Sequence, residues 1–322
     1  MSVAGACGTA DRSVSGRLCI HPARDTRPRC RQTARVLPIV GGLGAALAFT
    51  LATMSSTRAS RLVGASSTLA GVMLVGLAVG LPIALLTTPL PALDGMALVW
   101  IGLAGFGNVI GLLLVYSALR IGTVGVVTTL ASTEGAIAAV IAVLVGEALR
   151  PGAGPALAVL ALGAALAATG GGTEVEEGRR VSRADSRRAA ALALAAAVSF
   201  GIGLYATGRV GGLLPLAWAI LPARLVGTVF VALPLLLLGR VRISRAALPF
   251  VLVSGLAELA GYVSFVTGAH DGIAIAAVLT SLFAPFSTLL AFVVFGERLG
   301  RRQLGGIALV MAGVGALGAL QH

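Results

Sequence analysis

The chain is a succession of long apolar runs separated by short polar ones. Ten runs can be drawn, at about 36–56, 63–86, 96–117, 123–145, 153–171, 189–208, 213–238, 247–268, 272–295 and 303–320. Each approaches the ~20 apolar residues that an α-helix needs to cross the hydrocarbon core of a bilayer. A segment in lipid must satisfy its own backbone hydrogen bonds, so runs of this length predict transmembrane helices. The expected fold is therefore all-α and polytopic, with ten transmembrane helices. The connections are short except for one, at 172–188, which holds Glu174, Glu176, Glu177, Arg179, Arg180, Arg183, Asp185, Arg187 and Arg188. Such a charged linker cannot sit in lipid. It divides the body into two five-helix halves, 36–171 and 189–322. Before them, residues 1–35 carry seven arginines, two aspartates, Pro22 and Pro28 without periodicity. That segment is expected to be disordered. A start codon placed too early would also give such a tail, and the apolar run after it is too long for a signal peptide.

The halves repeat. A shift of 150 residues brings Gly111 onto Gly261, Gly122 onto Gly272, Gly146-Glu147 onto Gly296-Glu297, Leu149 onto Leu299 and Gly163 onto Gly313. A Gly-Glu-x-Leu at the same point in both halves is harder to ascribe to chance than matched glycines alone. Five helices is an odd number, so the second half enters the membrane in the opposite sense. The expectation is two inverted five-helix repeats about an axis in the membrane plane, an arrangement found in secondary transporters.

Composition sharpens this picture. The chain is 57% hydrophobic and 11% charged, against about 25% charged for a soluble domain, which excludes a soluble enzyme with one core. Its 44 glycines suit closely packed membrane helices. The net charge of +12 comes from arginine alone, since the chain has no lysine. A strongly basic chain would ordinarily suggest nucleic acid. Here the arginines lie in the tail and the loops and read as topology determinants, so no nucleic-acid partner is expected. The odd-numbered connections of the body hold fourteen arginines, and the even-numbered ones hold only Arg150 and Arg209. Positive-inside reasoning puts the odd connections in the cytoplasm and both termini outside, whereas the seven arginines of the tail argue the reverse. Cys7, Cys19 and Cys30 all precede the first apolar run. With His21 their spacing fits no compact zinc pattern, and no metal or cofactor is expected.

Thr280 to Gly306 runs through Ser281-Leu282, Pro285, Gly296-Glu297 and Leu299 into a glycine-rich last segment. This stretch resembles the closing signature of the EamA-type drug/metabolite transporters. The first half echoes it with Tyr116, Gly122, Ser132, Glu134-Gly135, Gly146-Glu147 and Leu149, and Pro222-Ala223-Arg224 also resembles a family feature. The likeness covers about residues 36–320. It implies ten helices in two repeats, no ATP hydrolysis, and export or exchange of small metabolites. One departure stands out. Gly135 lies where the second half has Pro285, so the fourth run lacks the proline that would break the ninth.

Three ionisable residues fall in the middle of runs: Glu134 in the fourth, Arg224 in the seventh and Glu258 in the eighth. Each costs roughly 2.5–3.5 kcal/mol to insert, so each is expected to face a cavity or a partner. The repeat places Asn108 opposite Glu258, and a central cavity would explain polar groups at that depth in both halves. Glu258, Gly261, Tyr262 and Phe265 share a helix face. The fourth run adds Thr129, Ser132 and Thr133, and the ninth adds Thr280, Ser281, Ser287 and Thr288 around Pro285. These hydroxyls either line the cavity or bond back to their own helices. The substrate-binding or coupling set is Glu134, Glu258, Arg224, Asn108, Tyr262, Ser132 and Ser281. Arg224 is expected within reach of Glu258 or Glu134. If it takes Glu258, Glu134 is left as the candidate proton carrier. If both carboxylates serve Arg224, the charges are structural. Glu147 and Glu297 are expected to cap the helix that follows each. His270-Asp271 reads as a solvated turn, and Trp100 and Trp218 as interface anchors or packing.

The leading functional expectation is a secondary transporter. It would export or exchange a small organic metabolite or drug-like compound across the cytoplasmic (inner) membrane by alternating access, with protons as the candidate coupling ion. An intramembrane lipid-modifying enzyme is the alternative. That would need a nucleophile or a metal cluster, and the only histidines are His21, His270 and His322, none close to another. A phosphate-binding GxxxxGK[ST] loop is impossible without lysine. No catalytic residue and no metal ligand are assigned, and the chain is read as a non-enzyme.

Overall fold

The computed structural model describes residues 27–121, 127, 130–149, 151–168, 183–287, 290 and 301–321, and all of its regular structure there is helical. In chain order the helices are α1 (Arg27–Val63), α2 (Ala65–Thr87), α3 (Gly95–Ile121), α4 (Glu134–Leu144), α5 (Ala153–Ala168) and α6 (Arg183–Leu213). They continue with α7 (Leu216–Leu237), α8 (Leu248–Ala269), α9 (Ile273–Thr280) and α10 (Arg301–Gln321). Among the described residues six helices are long and apolar enough to cross a membrane: α1, α2, α3, α6, α7 and α8. Shorter apolar helices lie at α4, α5, α9 and α10. The chain is an integral, multi-pass membrane protein.

Helix ends depart from the apolar runs in several places. α1 runs on to Val63, α3 to Ile121 and α6 to Leu213, so Arg58, Arg61, Arg120 and Arg209, expected in connections, are helical. α1 begins at Arg27, so residues 27–35 of the expected disordered tail are helical. α6 begins at Arg183, so the last part of the charged linker is the opening of a helix, with Asp185 in its first turn, where a carboxylate favours the helix dipole. Hydropathy marks what lipid accepts, and a helix can run on beyond that into charged sequence. Residues 1–26 and 169–182 lie outside the described residues.

The main packing pairs each join the two halves. α1 lies along α8, α3 along α6, α4 against α9 and α5 against α10. Small residues set the closeness of these contacts, as expected where lipid supplies no hydrophobic drive between helices. The backbones of Gly41 and Gly268 touch where α1 meets α8, and those of Gly107 and Gly203 touch where α3 meets α6. Ser264 Oγ donates to the Gly41 carbonyl at 2.9 Å, and Ser199 Oγ donates to the Gly107 carbonyl at 2.9 Å. Gly163 packs on the backbone of Gly306 and Val310 between α5 and α10. Leu160, Leu221, Phe265, Leu279 and Leu282 fill the core between the pairs. Leu86, Leu144 and Leu237 stand out on the periphery, as side chains facing lipid do.

Three helical paths are interrupted. Leu130 and Ala131 are helical, Ser132 and Thr133 form a turn, and α4 resumes at Glu134. α9 ends at Thr280, Ser281 and Leu282 turn, and residues 283–287 are helical again. Under the 150-residue shift the two turns coincide to within one residue. The fourth helix is therefore interrupted although it lacks the proline. Gly135 answers a different need there, because a Cβ at that position would overlap the Ala277 carbonyl and the Ser281 hydroxyl of α9. The third interruption is in α7, which turns before Pro222 and carries a π-helical stretch at Thr228–Ala232. Such π stretches gather at functional sites.

Candidate functional site

Arg224 lies in the helical turn that Pro222 opens in α7, and it is completely buried. Its Nη2 is 2.9 Å from Glu258 Oε2 on α8. This is charge-to-charge contact at ion-pair distance without an aligned hydrogen bond, since Nη2 and Nε have no hydrogen-bond acceptor among the described residues. Nη1 points to Met73 Sδ on α2 at 3.5 Å. The guanidinium carbon stands 5.0 Å from the centre of the Tyr262 ring, within cation–π range. Gly76 of α2 makes room for it, because a Cβ there would strike the arginine stem.

Tyr262 carries the cluster across to the first half. Its hydroxyl accepts a hydrogen bond from Asn108 Nδ2 on α3 at 2.6 Å, and the ring of Phe49 on α1 packs edge-on against it at 5.4 Å. Asn108 and Glu258, which the repeat pairs in sequence, are thus joined through Arg224 and Tyr262. Asn108 Oδ1 is buried without a hydrogen-bond partner among the described residues. It is an acceptor facing inward at the point where the halves meet.

Glu134 is treated differently. It is the first residue of α4, half-buried, and it forms no ion pair among the described residues. Glu134, Glu258 and Arg224 all lie within electrostatic range of the Tyr262 hydroxyl. Of the two carboxyl groups, Glu258 is the one in contact with the buried guanidinium.

The hydroxyls around the two interruptions serve mainly their own backbones. Thr133 donates to the Leu130 carbonyl at 2.7 Å, Thr280 to Ala276 at 2.8 Å, Ser281 to Ala277 at 3.3 Å and Ser287 to Phe283 at 2.7 Å. Ser132 is buried in the first turn. Pro285 has no N–H to offer the Ser281 carbonyl, and the Ala284 N–H approaches it instead at 3.5 Å. Thr50 of α1 donates to the Phe283 carbonyl at 3.1 Å. Thr129, Thr288 and Glu297 lie outside the described residues. Trp100 packs edge-on against Tyr205 at 5.8 Å, with the Arg209 guanidinium 5.6 Å from its ring. Trp218 Nε1 is buried without a partner among the described residues.

Glu147 corrects an expectation. Its carboxylate does not cap α5, the next helix in sequence. It crosses to the second half and accepts the Ala274 N–H at the start of α9, at 3.1 Å to Oε1 and 3.3 Å to Oε2. The end of α4 directs it there. Gly146 has φ 106°, the Gly146 N–H bonds to Val143 and the Glu147 N–H to Ala142, and this glycine-closed helix end reverses the chain. Burial pushes the Glu147 pKa above the usual carboxylate value, while the backbone N–H groups of Ala274 and Ile273 pull it back in part. Beside it is an opening of about 340 Å³ whose lining includes Tyr205, Arg209, His270 and Asp271. His270 Nδ1 is 3.7 Å from Asp271 Oδ1, with the imidazole largely exposed. The repeated Gly-Glu-x-Leu marked Glu147 as unusual, but nothing in sequence tells which helix end it meets.

Comparison with known proteins adds three findings. The model of the EamA-like transporter family matches residues 187–318, so the resemblance read from the sequence holds over the second half. A solved structure described only as "Crystal structure of protein" shares the fold, with a TM-score of 0.68 at 20% identity, over 89% of this chain and 96% of that one. No curated protein matches the chain.

Proposed function

We propose that the chain is a secondary transporter of the drug/metabolite type, moving a small organic compound across the cytoplasmic membrane by alternating access. The observation that carries this reading is the crossing of two interrupted helices, α4 and α9, beside a carboxyl group that no basic side chain neutralises among the described residues. Interrupted helices placed at the interface of two repeats are the usual substrate and ion sites of secondary transporters. The ten helices are read as two inverted repeats. Reciprocal packing supports that: exchanging first for sixth and third for eighth turns the α1–α8 pair into the α6–α3 pair, while the α4–α9 and α5–α10 pairs map onto themselves.

In this reading Arg224 holds Glu258, and Glu134 is free to take a proton on one side and release it on the other. Asn108 Oδ1 and the Tyr262 hydroxyl offer polar contacts to a substrate between the halves. Purified protein in proteoliposomes, screened by counterflow against a panel of small metabolites, tests transport directly. With a substrate in hand, Glu134→Gln should abolish uptake driven by a pH gradient and retain counterflow. Unchanged gradient-driven uptake in Glu134→Gln would remove this residue from coupling, and turnover of bilayer lipid without flux would favour the enzyme reading.

A further inference from the structure

We infer that the Glu147 carboxyl is the closing contact of one of the transporter's two gates, fastening the end of α4 in the first half to the start of α9 in the second. The inference rests on the transport reading, since a gate has meaning only where sides are exchanged.

The geometry is as follows. α4 runs from its interruption to Leu144, and α9 runs from Ile273 to its own interruption; the inner ends are those next to the interruptions and the outer ends are the others. These two segments lie against each other. At the inner end they meet where Gly135 admits the Ala277 carbonyl. At the outer end they meet where Glu147 accepts the Ala274 N–H. Between those two points helix lies against helix. The outer contact is made to the backbone N–H groups that open α9, those of Ala274 and Ile273, and among the described residues Glu147 forms no ion pair. In this inference, opening on this face parts α4 from α9 and breaks the Glu147 bond.

A carboxyl in that position makes the gate respond to pH. The groups around it are Tyr205 and Arg209 from α6 and His270 and Asp271 from the turn between α8 and α9. Pro38 of α1 also borders Gly272 and brings no charge. Burial raises the Glu147 pKa in the fastened state, whereas the parted state would return it to water and its ordinary value. The fastened state therefore binds the proton more tightly, and acid favours it. As pH rises through the raised value, the carboxylate gains more from hydration and the gate loosens. The protonated acid still accepts the Ala274 N–H through its carbonyl oxygen.

The test uses full-length protein in detergent with Cys7, Cys19 and Cys30 changed to serine. A single cysteine at Ala142→Cys, buried in the lining of the opening, reports access through its rate of reaction with a charged methanethiosulfonate reagent. Rates are divided by those of an exposed Arg245→Cys control to remove the pH dependence of the thiol itself. With Glu147 intact the ratio should rise as pH rises. Glu147→Gln, which imitates the neutral acid, should be slow at every pH. Glu147→Ala should be fast at every pH. His270→Gln should leave the profile unchanged. Any of three results overturns the inference: a pH profile that survives in Glu147→Gln, one that vanishes in His270→Gln, or Glu147→Ala no faster than its parent. If Glu147→Ala fails to fold, the other two variants still decide it. No substrate is needed, so failure of the counterflow screen leaves this measurement interpretable.

Discussion

In the first half the chain turns at Ser132–Thr133 and resumes as a helix at Glu134. In the second it turns at Ser281–Leu282, with Pro285 following. The backbone outcome is the same and the residues are not. Proline removes an N–H just after the second turn, but the first turn forms without one. The charges are distributed the other way round. The first half carries a carboxyl on its interrupted helix, Glu134, and an amide on its third helix, Asn108. The second half carries Ala284 and Glu258 at the corresponding positions. Arg224 then neutralises the carboxyl of the second half only. In the repeat proposed above, the halves would share a backbone plan and differ in where they carry charge.

The largest expected effect comes from removing the group that makes the halves unequal. Arg224→Ala leaves Glu258 without its counter-charge, and breaking a buried pair costs about 3–5 kcal/mol. Its thermal stability in detergent should fall well below that of Arg209→Ala, an exposed arginine. Equal melting temperatures would show that the pair carries no weight. Next in size is the contrast between the two interruptions. Gly135→Ala drives a methyl group into the Ala277 carbonyl and should cost about 1–3 kcal/mol by overpacking. Pro285→Ala should cost less, because the first half shows that this turn forms without proline. A larger loss in Pro285→Ala would mean that the two turns have separate causes. Tyr262→Phe is expected to cost about 1 kcal/mol, because it removes the hydroxyl that accepts the Asn108 amide. It should also weaken substrate affinity measured by counterflow if Asn108 is positioned through that bond. The smallest effect is expected at Ser281→Ala, within about 0.5 kcal/mol, because this hydroxyl bonds back to its own helix and such bonds slightly disfavour it. A large loss of substrate affinity in that variant would show that the hydroxyl leaves Ala277 to bind substrate.

What could be read from the sequence followed from what lipid forbids. Runs of apolar residues gave the positions of the long helices, and the rarity of charge in those runs singled out Glu134, Arg224 and Glu258. With one base and two acids at that depth, contact between Arg224 and an acid followed from the cost of burying either alone. Less could be read where the controlling contact is distant in sequence. The turn at Ser132–Thr133 has no local breaker, and the fit of Gly135 depends on α9. The bond from Glu147 to Ala274 spans the two halves, so local capping rules pointed to the wrong helix. The bond between Asn108 and Tyr262 was equally hidden, although the repeat had already set Asn108 against Glu258.

The glycine seams have a mechanical consequence. Gly41 against Gly268 and Gly107 against Gly203 bind α1 to α8 and α3 to α6 with no side chain between. Each seam joins one half to the other. These four helices are better regarded as a fixed frame assembled from both halves. The parts with joints are α4 and α9 at their turns and α7 at its π-helical stretch. In the transport reading proposed above, such a molecule would work as a pair of hinged leaves set in a rigid frame. Stiffening one hinge would slow the exchange of sides while leaving the frame and its melting temperature intact.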